Sequence, residues 1–190
     1  MNCYLVRCPD SGAIAIVDPG EDAPAILDAI AGAEAVCILL THAHRDHIGA
    51  LDAVRRATGV PVGIHPADAR AFGVDGDFPL LDGMEVELGH ERAVVVHVPG
   101  HTPGSVCLHL GQQAIVGDAI FPGGPGYTST PEALAQSLAS LGLTVFTWPD
   151  DVELYPGHGT PTAVGAERAA FEQFVMADHP PGLCGDVTWR

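Results

Sequence analysis

Five histidines and two aspartates in this chain are of the types and spacings that bind metal: His42, His44, Asp46, His47, His101, Asp118 and His158. Four fall in a single run, Thr41-His42-Ala43-His44-Arg45-Asp46-His47, and the other three each stand beside glycine. Imidazole and carboxylate hold zinc, iron or manganese, and Gly and Pro make the sharp loops that aim such ligands. Two residues apart on extended chain, His42 and His44 point the same way and can reach one ion. Asp46 and His47 cannot crowd onto that ion and are better placed for a neighbouring one. His101 would complete the first site and His158 the second, while Asp118, with two carboxylate oxygens, can bridge both. Seven such residues exceed the needs of one tetrahedral ion, so two divalent metals are expected, zinc first, with iron or manganese as alternatives. Two ions about 3.5–4 Å apart can hold a hydroxide at neutral pH and polarise a carbonyl. The expected chemistry is hydrolysis, with Asp46 and Asp118 as catalytic carboxylates and Asp46 handling a proton.

Short strands must deliver these ligands. A hairpin is expected from strands at 3–7 and 13–17, then a helix over 23–31 and an apolar strand over 35–40 that runs straight into the His42 cluster. A helix over 50–58, a strand over 60–64, a helical turn over 67–72 and a loop over 73–83 follow. Strands are expected at 84–88, 93–98, 105–110, 114–116 and 152–155, with a loop over 121–128. Thr130-Pro131 starts a helix over 133–141, and Thr162 is expected to cap a last helix that presents Val164, Phe171, Phe174 and Val175 on one face. His42, His101, Asp118 and His158 thus each follow a strand, and strand ends meeting at one rim can gather ligands from distant sequence. A single domain over 1–178 is expected, with a Pro/Gly tail over 179–190 that carries no regular structure.

Composition narrows the function classes. The chain has 190 residues, a net charge of −16 and eight basic residues, all of them arginine. Without lysine there is no Schiff-base or P-loop lysine. The acidity opposes binding to nucleic acid and to anionic membrane surfaces. Two divalent ions would outweigh Asp46, Asp118 and a hydroxide, so a small anionic substrate could still be drawn to the site. The five cysteines match no zinc knuckle or CxxC spacing, and Cys37 and Cys107 read as buried apolar residues. No secretory signal pattern and no apolar run of about 20 residues is present, so the expected location is the reducing cytoplasm. His65, His90, His97, His109 and His179 read as structural or surface residues, with His97 the one expected to support a ligand, and Asp18 as a turn residue that orients neighbours of the site.

The order His42-x-His44-x-Asp46-His47, then His101, Asp118 and His158, resembles the metallo-β-lactamase superfamily over nearly the whole chain. Within it, Pro99-Gly100-His101-Thr102-Pro103-Gly104-Ser105, Gly117-Asp118 and Tyr155-Pro156-Gly157-His158-Gly159 look most like the glyoxalase II-type hydrolases. The resemblance implies an α+β fold, an αββα sandwich with the metals at one edge of two sheets. It also implies His42, His44, His101 and Asp118 on one metal, and Asp46, His47, His158 and the shared Asp118 on the other. Such enzymes and the related persulfide dioxygenases usually carry Arg nine residues after the bridging Asp, where this chain has Tyr127. Tyr127 is therefore the candidate substrate contact. The glutathione-binding helical domain of full-length glyoxalase II is expected to be missing, which points to a smaller thioester or other ester-like substrate. The alternatives are a mononuclear iron persulfide dioxygenase using His44, His101 and Asp118, a lactonase, or a metal-binding module without turnover.

Overall fold

A strand that is apolar on both faces must be covered on both, and several such strands set the layering of this chain. The computed structural model describes residues 1–189. The first half runs β1 (Tyr4–Arg7), β2 (Ile14–Val17), α1 (Ala23–Ala29), β3 (Ala35–Leu39), α2 (Arg45–Ile48), α3 (Leu51–Thr58), β4 (Val62–Ile64), α4 (Pro66–Phe72) and β5 (Phe78–Pro79). The second half runs β6 (Glu85–Leu88), β7 (Glu91–His97), β8 (Val106–Leu110), β9 (Gln113–Gly117), β10 (Ile120–Phe121), β11 (Gly124–Pro125), α5 (Pro131–Leu143), a 3-10 turn (Val145–Thr147), β12 (Glu153–Pro156), β13 (Thr162–Ala163) and α6 (Val164–Met176). One sheet has the order β1-β2-β3-β4-β5, the other β13-β12-β9-β8-β7-β6, and β10 and β11 form a small ribbon.

Successive side chains of a strand point to opposite faces, and here each face meets its own core. Ala15 and Val17 of β2, with Cys37 and Leu39 of β3, pack against Val95, Val106, Leu108 and Ile115 of the second sheet. Their neighbours Ile14, Ile16 and Ile38 face the other way, onto Ile26 of α1 and Leu51 and Val54 of α3. On the far side, Cys107, Ala114 and Val116 meet Leu141 of α5 and Phe171 of α6. Three apolar layers between four layers of structure make the αββα sandwich that the motif resemblance implies. Cys37 and Cys107 are buried as expected. Among the described residues no helix is long and apolar enough to cross a membrane.

Three local expectations are corrected. Thr162 does not cap α6. It pairs with Leu154 across the β12–β13 ladder, its hydroxyl donates to Glu167 Oε1 at 2.7 Å, and the helix starts after Ala163 with no side-chain cap. The ladder holds Thr162 extended, one residue too early to reach the first helical N–H groups. The expected loops over 73–83 and 121–128 contain the two-residue strands β5, β10 and β11. The segment after 179 is docked as well. Gly185 pairs with Thr128, Val187 and Trp189 are buried, and the Trp189 indole N–H donates to Glu167 Oε2 at 3.0 Å. Val187 and Trp189, two residues apart, are both turned inward, a pattern the Pro/Gly composition hides. Trp189→Ala is expected to lower unfolding free energy by about 3 kcal/mol in a urea titration, because it removes a large aromatic from the α5–α6 core. A loss under about 1 kcal/mol would show that the tail is not part of that core.

Candidate metal centre

The ends of β3, β7, β9 and β12 converge on one rim, and each brings part of the cluster. His42 and His44 follow β3 on extended chain, with His44 at φ −66° and ψ 149° immediately before α2. Asp46 and His47 lie in the single turn of α2 and face a different direction. β9 and β12 are parallel, with Gly117 beside Pro156 and the Gly157 N–H donating to the Gly117 carbonyl at 2.8 Å, so Asp118 and His158 emerge side by side.

All seven predicted residues meet, and in two groups. His101 Nε2 lies 3.3 Å from His42 Nε2 and 2.9 Å from His44 Nδ1. His158 Nε2 lies 2.9 Å from Asp46 Oδ2, which is 3.8 Å from His47 Nε2. Asp118 stands between the groups. Its Oδ1 is 3.4 Å from His47 Nε2, and its Oδ2 is 3.7 Å from His101 Nε2 and 3.6 Å from His158 Nε2.

Hydrogen bonds on the outer side of the rings decide which nitrogens face inward. His101 Nδ1 donates to the Tyr127 carbonyl at 2.8 Å, which leaves Nε2 as the lone pair. His47 Nδ1 donates to Asp18 Oδ2 at 3.0 Å. Thr41 Oγ1 donates to the same oxygen at 2.6 Å and lies 3.1 Å from His42 Nδ1, whose proton it accepts. Asp18, buried and at φ 52°, also takes the Thr41 N–H at 2.8 Å. Asp18 comes close to His42 and His47 as a third metal-binding group would. Its two oxygens are already filled by these donors, so it orients rings, as its turn position in sequence foretells.

The inward atoms fit a cation. The 3.3 Å between His42 Nε2 and His101 Nε2 matches the edge of a tetrahedron with zinc–nitrogen bonds of about 2.0–2.1 Å, and with the Nδ1 protons of both rings turned outward these two lone pairs face each other. Buried His47 Nε2 and Asp118 Oδ1 face each other at 3.4 Å without a well-formed hydrogen bond; in the metal-free chain a proton on His47 partly satisfies them, and an ion can take that proton's place. Burial, then the neighbouring rings His47 and His101, hold His42 well below the ordinary imidazole value. Burial lowers His44 in the same way. Burial also works against a proton on His47, but Asp118 and Asp18 outweigh it and raise that ring to about 10. Asp118 is lowered: burial opposes its charge, and the contact with His47 prevails.

Close approach requires glycine here. A Cβ at Gly157 would collide with Asp118 Oδ1 and His47, and one at Gly117, where φ is +50°, would collide with Thr41. His97, expected to support a ligand, instead stacks on His65 with centroids 4.1 Å apart and reaches the Pro103 carbonyl at 3.0 Å, so it steadies the loop after His101 and not the ring itself. Tyr127 brings its carbonyl to His101, while its side chain is exposed. Two residues that the motif does not include also belong to the site. Phe72 is exposed, with its ring edge-on to His44 at 5.3 Å. Asp68 is wholly buried among the ligand loops.

The profile of the metallo-beta-lactamase superfamily matches residues 2–167. The chain belongs to this superfamily. It is 30% identical over 197 residues to the hydroxyacylglutathione hydrolase GloC of Haemophilus influenzae, covering 88% of this chain and 89% of that one. It is 40% identical over 159 residues to a hydroxyacylglutathione hydrolase of Anaeromyxobacter dehalogenans, covering 82% of this chain and 60% of the relative's length. Among solved structures, the BLEG-1 B3 metallo-beta-lactamase superposes with a TM-score of 0.78 at 30% identity over 88% of this chain and 91% of that one. TTHA1623 in a di-iron-bound form superposes at 0.72, with 34% identity over the same shares. Superfamily membership and the converging His and Asp side chains agree on a hydrolase-like fold with a metal site.

Imidazole binds metal only as the neutral base. His47, held at about 10, carries a proton at pH 8 in the metal-free chain, whereas His42 and His44, held low, do not. Zinc uptake at pH 8 is therefore expected to release the His47 proton in addition to any lost by metal-bound water, read by calorimetry in buffers of different ionisation enthalpy. Asp18→Asn, which removes one of the groups that hold this proton, should reduce the release. Heat independent of buffer would contradict the assignment.

Proposed function

We propose that this protein is a binuclear metallohydrolase acting on thioesters or comparable ester-like small molecules, with zinc as the metal. The observation that carries this reading is Asp118, which stands between the two groups, its Oδ2 near both His101 and His158 and its Oδ1 near His47. His42, His44 and His101 would hold one ion, Asp46, His47 and His158 the other, and Asp118 both. Two bound divalent ions supply a nucleophile from water at neutral pH and polarise the substrate carbonyl.

The remaining work falls to the chain's own residues. Asp18, through Thr41 and His47, and the Tyr127 carbonyl, through His101, keep the ring nitrogens aimed inward. Asp118 is only 11% exposed but Asp46 is 45% exposed, so Asp46 is the carboxylate that can pass a proton between the centre and bulk water. Phe72 and Tyr127, both exposed at the rim, offer apolar surface and one hydroxyl to a bound substrate. A small, anionic substrate accords with a centre whose metal charge exceeds that of its carboxylates. The net charge of −16 accords with no role for nucleic acid or an anionic membrane. The names of the hydroxyacylglutathione hydrolase relatives support a thioester in particular. Tyr127, in the place where such enzymes usually carry Arg, favours a thiol part other than glutathione.

The test is a panel of thioesters, lactones, phosphodiesters and a β-lactam, assayed with the zinc-loaded protein. Thioester cleavage is expected to disappear with a chelator and return with zinc, and Asp46→Asn should lower kcat by about 10²–10⁴-fold. Oxygen uptake on a persulfide by iron-loaded protein, with no thioester cleavage, would overturn the proposal in favour of a dioxygenase.

A further inference from the structure

Asp68 lies in α4, outside both ligand loops and outside the metal-binding motif, and its side chain is fully buried. Its Oδ2 accepts the Ala43 N–H at 3.0 Å and the Thr102 hydroxyl at 2.8 Å, and its Oδ1 accepts the Gly104 N–H at 2.6 Å. Ala43 separates His42 from His44, and Thr102 and Gly104 follow His101. One carboxylate thus clamps together the two backbone segments that carry all three imidazoles of one group. It makes no hydrogen bond to Asp46, His47 or His158.

The simpler role for an acidic residue in the first turn of a helix is to cap that helix. Here His65 does so, its Nδ1 accepting the Ala67 N–H at 3.2 Å, and the Asp68 side chain accepts nothing from its own helix. Burying a carboxylate costs several kcal/mol unless its oxygens are filled. Among the described residues Asp68 has no arginine partner, so the three donors from the ligand loops must do the filling. The approach is tight: a Cβ at Gly104 would sit 2.8 Å from Asp68 Oδ1.

We propose that Asp68 is a positioning residue for one metal of the two. It sets the spacing of His101 against His42 and His44, 3.3 Å and 2.9 Å between ring nitrogens, and so the affinity of that side alone. The proposal rests on the binuclear reading above. Its test is stepwise zinc affinity, measured by competition with a chromogenic chelator together with metal content after dialysis. His101→Ala and His158→Ala identify which step belongs to which side.

Asp68→Asn turns an amide N–H toward donors that need an acceptor. It should weaken the step lost in H101A by about 10–100-fold and leave the step lost in H158A within about threefold. Thr102→Val, which removes one donor of three, should weaken the same step less. If Asp68→Asn does not fold, Thr102→Val decides the matter. Glu167→Gln alters another fully buried carboxylate, bonded to Gly123, Thr162 and Trp189. It should lower Tm and leave both steps unchanged. Equal weakening of both steps, or a fall in Tm with neither step changed, would overturn the proposal and make Asp68 a residue of the fold only. Wild-type protein that takes up fewer than two ions would instead overturn the binuclear reading itself.

Discussion

The Asp118 carboxylate must face two groups of imidazole nitrogens at once, and much of the rim is arranged around that requirement. The parallel pairing of β9 with β12 brings His158 beside it, and the missing Cβ of Gly157 leaves room for its Oδ1 against His47. The backbone of Gly126 passes close to its carbonyl, where a side chain would collide, and the next residue, Tyr127, supplies the carbonyl that turns His101. A substitution at any of these glycines would alter the distance between the two ligand groups before it altered the sandwich behind them.

The two sheets contribute differently. The sheet that contains β2 and β3 supplies the His42–His47 run and the buried Asp18 that aims it. The sheet that contains β9 and β12 supplies Asp118 and His158. Strands with both faces covered are rigid platforms, and their ends hold ring nitrogens at close range that would repel one another without an ion. Repulsion of that kind is an energetic cost which metal binding removes, so ion uptake is expected to tighten the fold as well as arm the site.

Much of this was legible in sequence, because the ligand residues are chemically distinctive and four of them, His42, His101, Asp118 and His158, each come just after a strand of alternating or continuous apolar character. The separation of His42 and His44 from Asp46 and His47 could be read from two facts: extended chain repeats its direction every second residue, and four adjacent ligands cannot all crowd onto one ion; the helical turn that turns Asp46 and His47 away was not legible. Asp68 could not be read in this way. Nothing about a lone aspartate in Pro66-Ala67-Asp68 says that Ala43, Thr102 and Gly104, all distant in sequence, will turn their donors toward it. Phe72 and the Tyr127 carbonyl were hidden for the same reason: their roles arise from tertiary proximity, and a backbone carbonyl carries no signature of residue type. The docking of Val187 and Trp189 was masked by the prolines and glycines around them, and Thr162 resembled a cap until its strand pairing claimed it.

Anomalous diffraction from crystals grown with zinc would locate the ions at the Asp118 rim. Two peaks are expected, one among His42, His44 and His101 and the other among Asp46, His47 and His158, with an Asp118 oxygen within bonding distance of each. A single peak, or a peak held by Asp18 in place of Asp118, would contradict a binuclear centre bridged by Asp118.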